Sequence, residues 1–108
     1  MSVGLFKYDG NIYNSAKLIV SENISSQEIY DKYLEPAIKK LGIIYFQDGA
    51  EIRFDNKERV IAEIELLLDW LQNNVENEYR IILIDRLINI KNVIKNVLNT
   101  EEDILYIF

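Results

Sequence analysis

From Asp55 to Leu98 apolar residues recur at helical spacing almost without a break, which commits this stretch to two long amphipathic helices. In the first, Val60, Ile61, Ile64, Leu67, Leu68 and Leu71 form one stripe, and the Asn73-Asn74 pair ends it. In the second, from about Glu76 to Leu98, the stripe is Tyr79, Leu83, Leu87, Ile90, Ile94, Val97 and Leu98. Asp55 with Glu58 supplies a capping box for one helix. Acids in the first turn of the other, with Lys91 and Lys95 late in it, match the helix macrodipole. Two such stripes must each be buried, so the rest of the chain has to supply the surface that covers them.

The first half reads as β structure around a single helix. Gly4–Tyr8 and Ile12–Val20 flank Asp9-Gly10-Asn11, a turn signal that predicts an N-terminal hairpin. Ser25 and Glu28 then form a capping box ahead of Tyr30, Tyr33, Leu34, Ala37, Ile38 and Leu41, with Gly42 as the C-terminal cap. Pro36 lies inside this helix and predicts a kink near Tyr33. Ile43–Phe46 and Glu51–Phe54, joined through Asp48-Gly49, predict a central β-hairpin. In that register Tyr45 faces Ile52 and Ile43 faces Phe54, while Phe46 with Glu51 and Ile44 with Arg53 occupy the other side. The end, Ile104–Phe108, is apolar enough to require docking as a short terminal strand or packed segment. The fold class is α+β, in one domain over residues 1–108; 49% hydrophobic residues suffice for a core.

The chain has no Cys and no His, which excludes disulfides, thiolate nucleophiles, imidazole bases and ordinary zinc sites. Its four glycines are isolated, so no phosphate-cradling loop is present. The carboxylates of Asp48–Glu51 and Glu101–Asp103 lack the alternating spacing of a calcium loop. The expectation is no catalytic residue, no metal and no cofactor. The N-terminus lacks the charged and apolar regions of a leader, and no apolar run approaches the ~20 residues of a membrane span. A cytoplasmic protein without membrane attachment is expected.

The formal net charge of −6 is concentrated. Between Asp55 and Glu78 seven acids meet only Lys57 and Arg59. Such a surface repels phosphate backbones, so a nucleic-acid partner is not expected, and it attracts basic proteins. At ~100° per residue, Glu58, Ala62, Glu65, Asp69 and Gln72 line the helix face away from the apolar stripe, with Glu76 and Glu78 following. Leu66 and Trp70, at i and i+4, lie off the stripe beside Glu63 and Arg59. An apolar anchor rimmed by charge has the make-up of a protein-binding hot spot; packing under the N-terminal hairpin is the competing role for this pair. Glu58, Glu63, Glu65, Leu66, Asp69, Trp70, Glu76 and Glu78 are therefore the candidate partner-binding residues. In the last helix Ile81, Ile84 and Ile88 fall opposite the main stripe, which predicts central burial or, failing that, a dimer surface.

In its size, its acids from Asp55 to Glu78 and its want of catalytic motifs, the chain resembles the small immunity proteins encoded beside bacterial toxins, among them nuclease toxins. The resemblance implies a stoichiometric inhibitor whose carboxylates mimic substrate phosphates or pair with toxin Lys and Arg. The alternative is a small adaptor or structural subunit, monomeric or homodimeric through the third helix or the C-terminal segment. A third reading is an enzyme working with carboxylates or tyrosines alone.

Overall fold

A computed structural model describes residues 2–9 and 17–108. Strands β1 (Ser2–Asp9) and β2 (Lys17–Ser26) pair antiparallel, from Ser2 opposite Ser26 to Asp9 opposite Lys17. Gly10 and Asn11 of the expected turn, and the first residues of the expected strand Ile12–Val20, lie outside the described residues.

β2 runs to Ser26, and the expected cap moves by one position. Ser26 Oγ, not Ser25, accepts the N–H of Ile29 at 3.2 Å and opens α1 (Gln27–Ile29). A π-helical turn over Tyr30–Leu34 connects α1 to α2 (Glu35–Leu41). The Glu35 N–H reaches back to the Tyr30 carbonyl, and Pro36, which has no N–H, sits in the first turn of α2. The wide turn accommodates the proline, as the predicted kink required. Gly42 closes α2 at φ 69°, a left-handed conformation that costs a residue without Cβ little.

The central hairpin does not form. Ile43–Phe46 lies outside any strand, and β3 (Glu51–Arg53) pairs instead with β4 (Ile104–Ile107). The sheet order is β2-β1-β4-β3, all antiparallel, so the C-terminal strand is an interior one. Gly49 does adopt positive φ, 90°, but its N–H donates to the Ile107 carbonyl at 2.7 Å. The turn residue read from the sequence serves the β4 junction.

A 3₁₀ turn over Phe54–Asn56 leads into α3 (Lys57–Asn74), followed by α4 (Tyr79–Val97). The entry to α3 is held by the Arg53 N–H donating to Asn56 Oδ1 at 3.0 Å, in place of the expected Asp55 cap. Asn77 accepts the Tyr79 N–H at 3.0 Å and starts α4, so Glu76 and Glu78 precede the helix. α3 packs against α4, α2 and β3, and α4 packs across β2. The predicted stripes are buried: Val60, Ile64, Leu67 and Leu71 from α3, Leu83, Leu87, Ile90 and Ile94 from α4. They meet Val3, Leu5, Ile24, Ile52, Leu105 and Ile107 from all four strands in one core. Gly4, Phe6, Tyr106 and Phe108 belong to the other side of the sheet. There Phe6 and Phe108 stack at 4.6 Å, and a Cβ on Gly4 would lie 2.9 Å from the Phe6 ring.

Central burial of Ile81 and Ile88 is overturned. Both are exposed, Ile81 at 69% and Ile88 at 42%, while Ile84 is half-buried against the core. α4 lies on the sheet and α3 with one face only, so its second apolar row is left facing outward. No helix among the described residues is long and apolar enough to cross a membrane.

Candidate functional site

The acids gathered by the sequence divide into two kinds. Glu63 is half-buried, and its carboxylate is fully engaged by the chain that was expected to form a strand. It accepts the backbone N–H groups of Ile44 at 2.8 Å, Tyr45 at 3.0 Å and Phe46 at 2.9 Å. Three successive amides cradling a carboxylate satisfy donors that a β-ladder would otherwise have used. Glu63 is thus an internal anchor that holds the Ile43–Phe46 segment against α3. Its place in the sequence is the signal: three residues after Val60 and four before Leu67, it lies at the edge of the buried stripe, where a half-buried acid needs partners.

The remaining acids are exposed. Glu58, Glu65 and Asp69 line the outer face of α3, and Glu76 and Glu78 flank the junction with α4. Among the described residues none of these forms an ion pair; the recorded pairs are Lys7–Asp103, Lys39–Glu35 and Arg53–Glu51. The two bases within the acidic stretch are occupied elsewhere. Lys57 Nζ donates to the Lys95 carbonyl at 3.0 Å, at the end of α4, and Arg59 donates to the Tyr45 hydroxyl at 3.4 Å. Both cations keep their charge there, and the surface is net negative because acids outnumber bases seven to two between Asp55 and Glu78.

Apolar groups accompany it. Leu66 is 50% exposed, which overturns its packing as core, and Trp70 is half-buried with one side against the core. Ile44 is exposed at 66%, presented by the segment that Glu63 anchors three residues before Leu66. On the expected hairpin Ile44 would lie opposite Arg53, away from α3; the Glu63 anchor brings it beside that helix instead. The site is a charged helix face carrying Leu66 and Trp70, with Ile44 on the adjoining anchored segment.

The junction beside Glu76 and Glu78 is fixed as well. Asn77 Nδ2 donates to the Tyr33 hydroxyl at 2.8 Å, and the Tyr33 and Tyr79 rings meet at 5.7 Å, tying the start of α4 to the π turn. Two titrating groups elsewhere report on the scaffold. Burial pushes the Tyr30 hydroxyl up from its ordinary value, against the opposing effect of the Asp48 N–H that it accepts at 2.8 Å. Lys7, bonded to Asp103 at 2.6 Å, holds that carboxyl well below the usual range, aided by the N–H groups of Asn99 and Thr100.

Comparison of the chain with protein-family models, with curated proteins and with solved structures finds no match in any of the three.

Proposed function

We propose that this protein is a non-catalytic binding domain whose α3 surface docks a basic protein, in the manner of an immunity protein neutralising a toxin. The observation that carries the reading is the excess of exposed acids, Glu58, Glu65, Asp69, Glu76 and Glu78, none of which forms an ion pair among the described residues. An excess of negative charge along α3 and its junction with α4 steers a cationic partner and raises its rate of encounter. Leu66, Trp70 and Ile44 supply apolar area that charge alone does not. A nuclease toxin is a natural occupant, because its substrate-binding surface must itself attract phosphates.

The test is depletion of the chain in its native host. Growth arrest, relieved when the gene for a co-purifying basic protein is also deleted, is the outcome expected of an immunity protein. Depletion that leaves growth unaffected while a basic partner is present would contradict the toxin assignment.

A second reading is favoured by α4. Ile81, Ile82 and Ile88 are exposed on one helix, which suits a small adaptor or structural subunit that pairs with its own copy. Sedimentation separates the two, since this arrangement requires a dimer that Ile81→Lys and Ile88→Lys dissolve.

A further inference from the structure

A cavity of about 310 Å³ opens between the end of β2 and the first half of α4, and no residue of α3 lines it. Asn23, Ser25 and Ser26 contribute from the strand, and Tyr79, Ile82 and Arg86 from the helix. Two features of its wall are not explained by folding. Ser25 is 1% exposed, and among the described residues its buried hydroxyl has no hydrogen-bond partner. A buried hydroxyl left unpaired is disfavoured unless something else completes it. Arg86 is half-buried and, among the described residues, has neither an ion pair nor a hydrogen bond, on a chain whose net charge is −6.

We propose that this cavity is a binding site for a small carboxylate carried on an apolar stem, gripped by Arg86 and the Ser25 hydroxyl. A guanidinium presents parallel donors that match the two oxygens of a carboxylate. The Ser26 hydroxyl, whose oxygen already accepts the Ile29 N–H, keeps its own proton for a second contact. Ile82 and the Tyr79 ring, on the same wall, offer cover for the stem. One cation fits a monoanion; a phosphate dianion would need more positive charge than this cavity holds. The size is that of a small-ligand pocket, which joins apolar walls to a few placed polar groups.

The experiment titrates isotope-labelled full-length protein with hexanoate and phenylacetate, using hexanol and inorganic phosphate as controls and following backbone amides by NMR. Either carboxylate should give saturable shifts centred on Ser25, Ser26, Ile82 and Arg86. Hexanol and phosphate, each lacking half of the required chemistry, should bind at least tenfold more weakly. Arg86→Met should remove carboxylate binding without changing the melting temperature, and Ser25→Ala should weaken it several-fold. Failure of both carboxylates to saturate at millimolar concentration overturns the proposal. So does binding by hexanol or phosphate that equals hexanoate, or an Arg86→Met variant that binds like wild type. Ser25→Ala with raised stability and unchanged affinity would remove the hydroxyl from the site.

Discussion

The Glu63 carboxylate receives the backbone N–H of Phe46 at 2.9 Å, across seventeen residues of sequence. With the Ile44 and Tyr45 amides on the same side chain, this contact does the work that a neighbouring strand would do in a hairpin. Glu63→Ala leaves three donors without that acceptor, and hydrogen bonds to a charged group contribute about 1.5–3 kcal/mol each at most, less where water can replace them. A loss of roughly 2–3 kcal/mol is expected by urea denaturation, with faster amide exchange at residues 44–46. Glu63→Gln, which keeps one acceptor oxygen, should lie between.

That segment also marks what was legible in the sequence. The stripes of α3 and α4 were readable because helical periodicity is local, and so was the kink, which needs only Pro36. The short continuous apolar run Ile43–Phe46 is compatible with a strand, and Gly49 has the positive φ of a turn. What could not be read was pairing: β3 takes its partner from the C-terminus, some fifty residues away, and a two-strand ladder carries no local mark of which partner wins. For the candidate site, exposure of Glu58, Glu65 and Asp69 followed from helical spacing. The role of Glu63 did not, because its charge is the local signal while its place at the edge of the buried stripe matters more.

Asp103 joins α4 to β4 by accepting from Lys7, Asn99 and Thr100. Its folded carboxyl titrates below the value of an unfolded aspartate, about 3.9. The stabilisation is therefore fully present above that unfolded value and is lost as pH falls below it toward the folded value. Acid denaturation followed by circular dichroism should show wild type losing stability through this range. Asp103→Asn should be less stable at neutral pH, by about 1–3 kcal/mol, and should show a flatter acid limb.

Tyr30 gives the opposite sign at high pH. Its hydroxyl is harder to ionise in the folded chain than in the unfolded one. The contribution is complete below the unfolded tyrosine value, about 10, and is lost as pH rises through the folded value. Tyr30→Phe should remove this alkaline dependence and release the Asp48 amide, seen as faster exchange at that residue.

β4 lies between β1 and β3 and buries Leu105 and Ile107 completely or nearly so. Fully burying each such side chain contributes about 1.5–3 kcal/mol against a typical total of roughly 5–15 kcal/mol. Truncation after Asp103 should give an unfolded or aggregated chain. Gly49→Ala tests the adjoining turn more gently: an added Cβ meets no neighbouring atom, so any loss, about 1–2 kcal/mol, reports the left-handed backbone alone.

The central claim is that the α3 surface binds a basic protein through its unpaired acids, and the most direct measurement is binding after charge reversal. Glu65→Lys with Asp69→Lys changes two exposed positions that contribute little to stability, so the melting temperature should hold within a few degrees. The partner captured by the wild-type chain from its native host is then titrated against both forms at low and high salt. Wild type should bind several-fold or more tightly than the reversed form, and its affinity should fall with salt much more steeply. Equal affinity and equal salt dependence for the two forms would contradict the account.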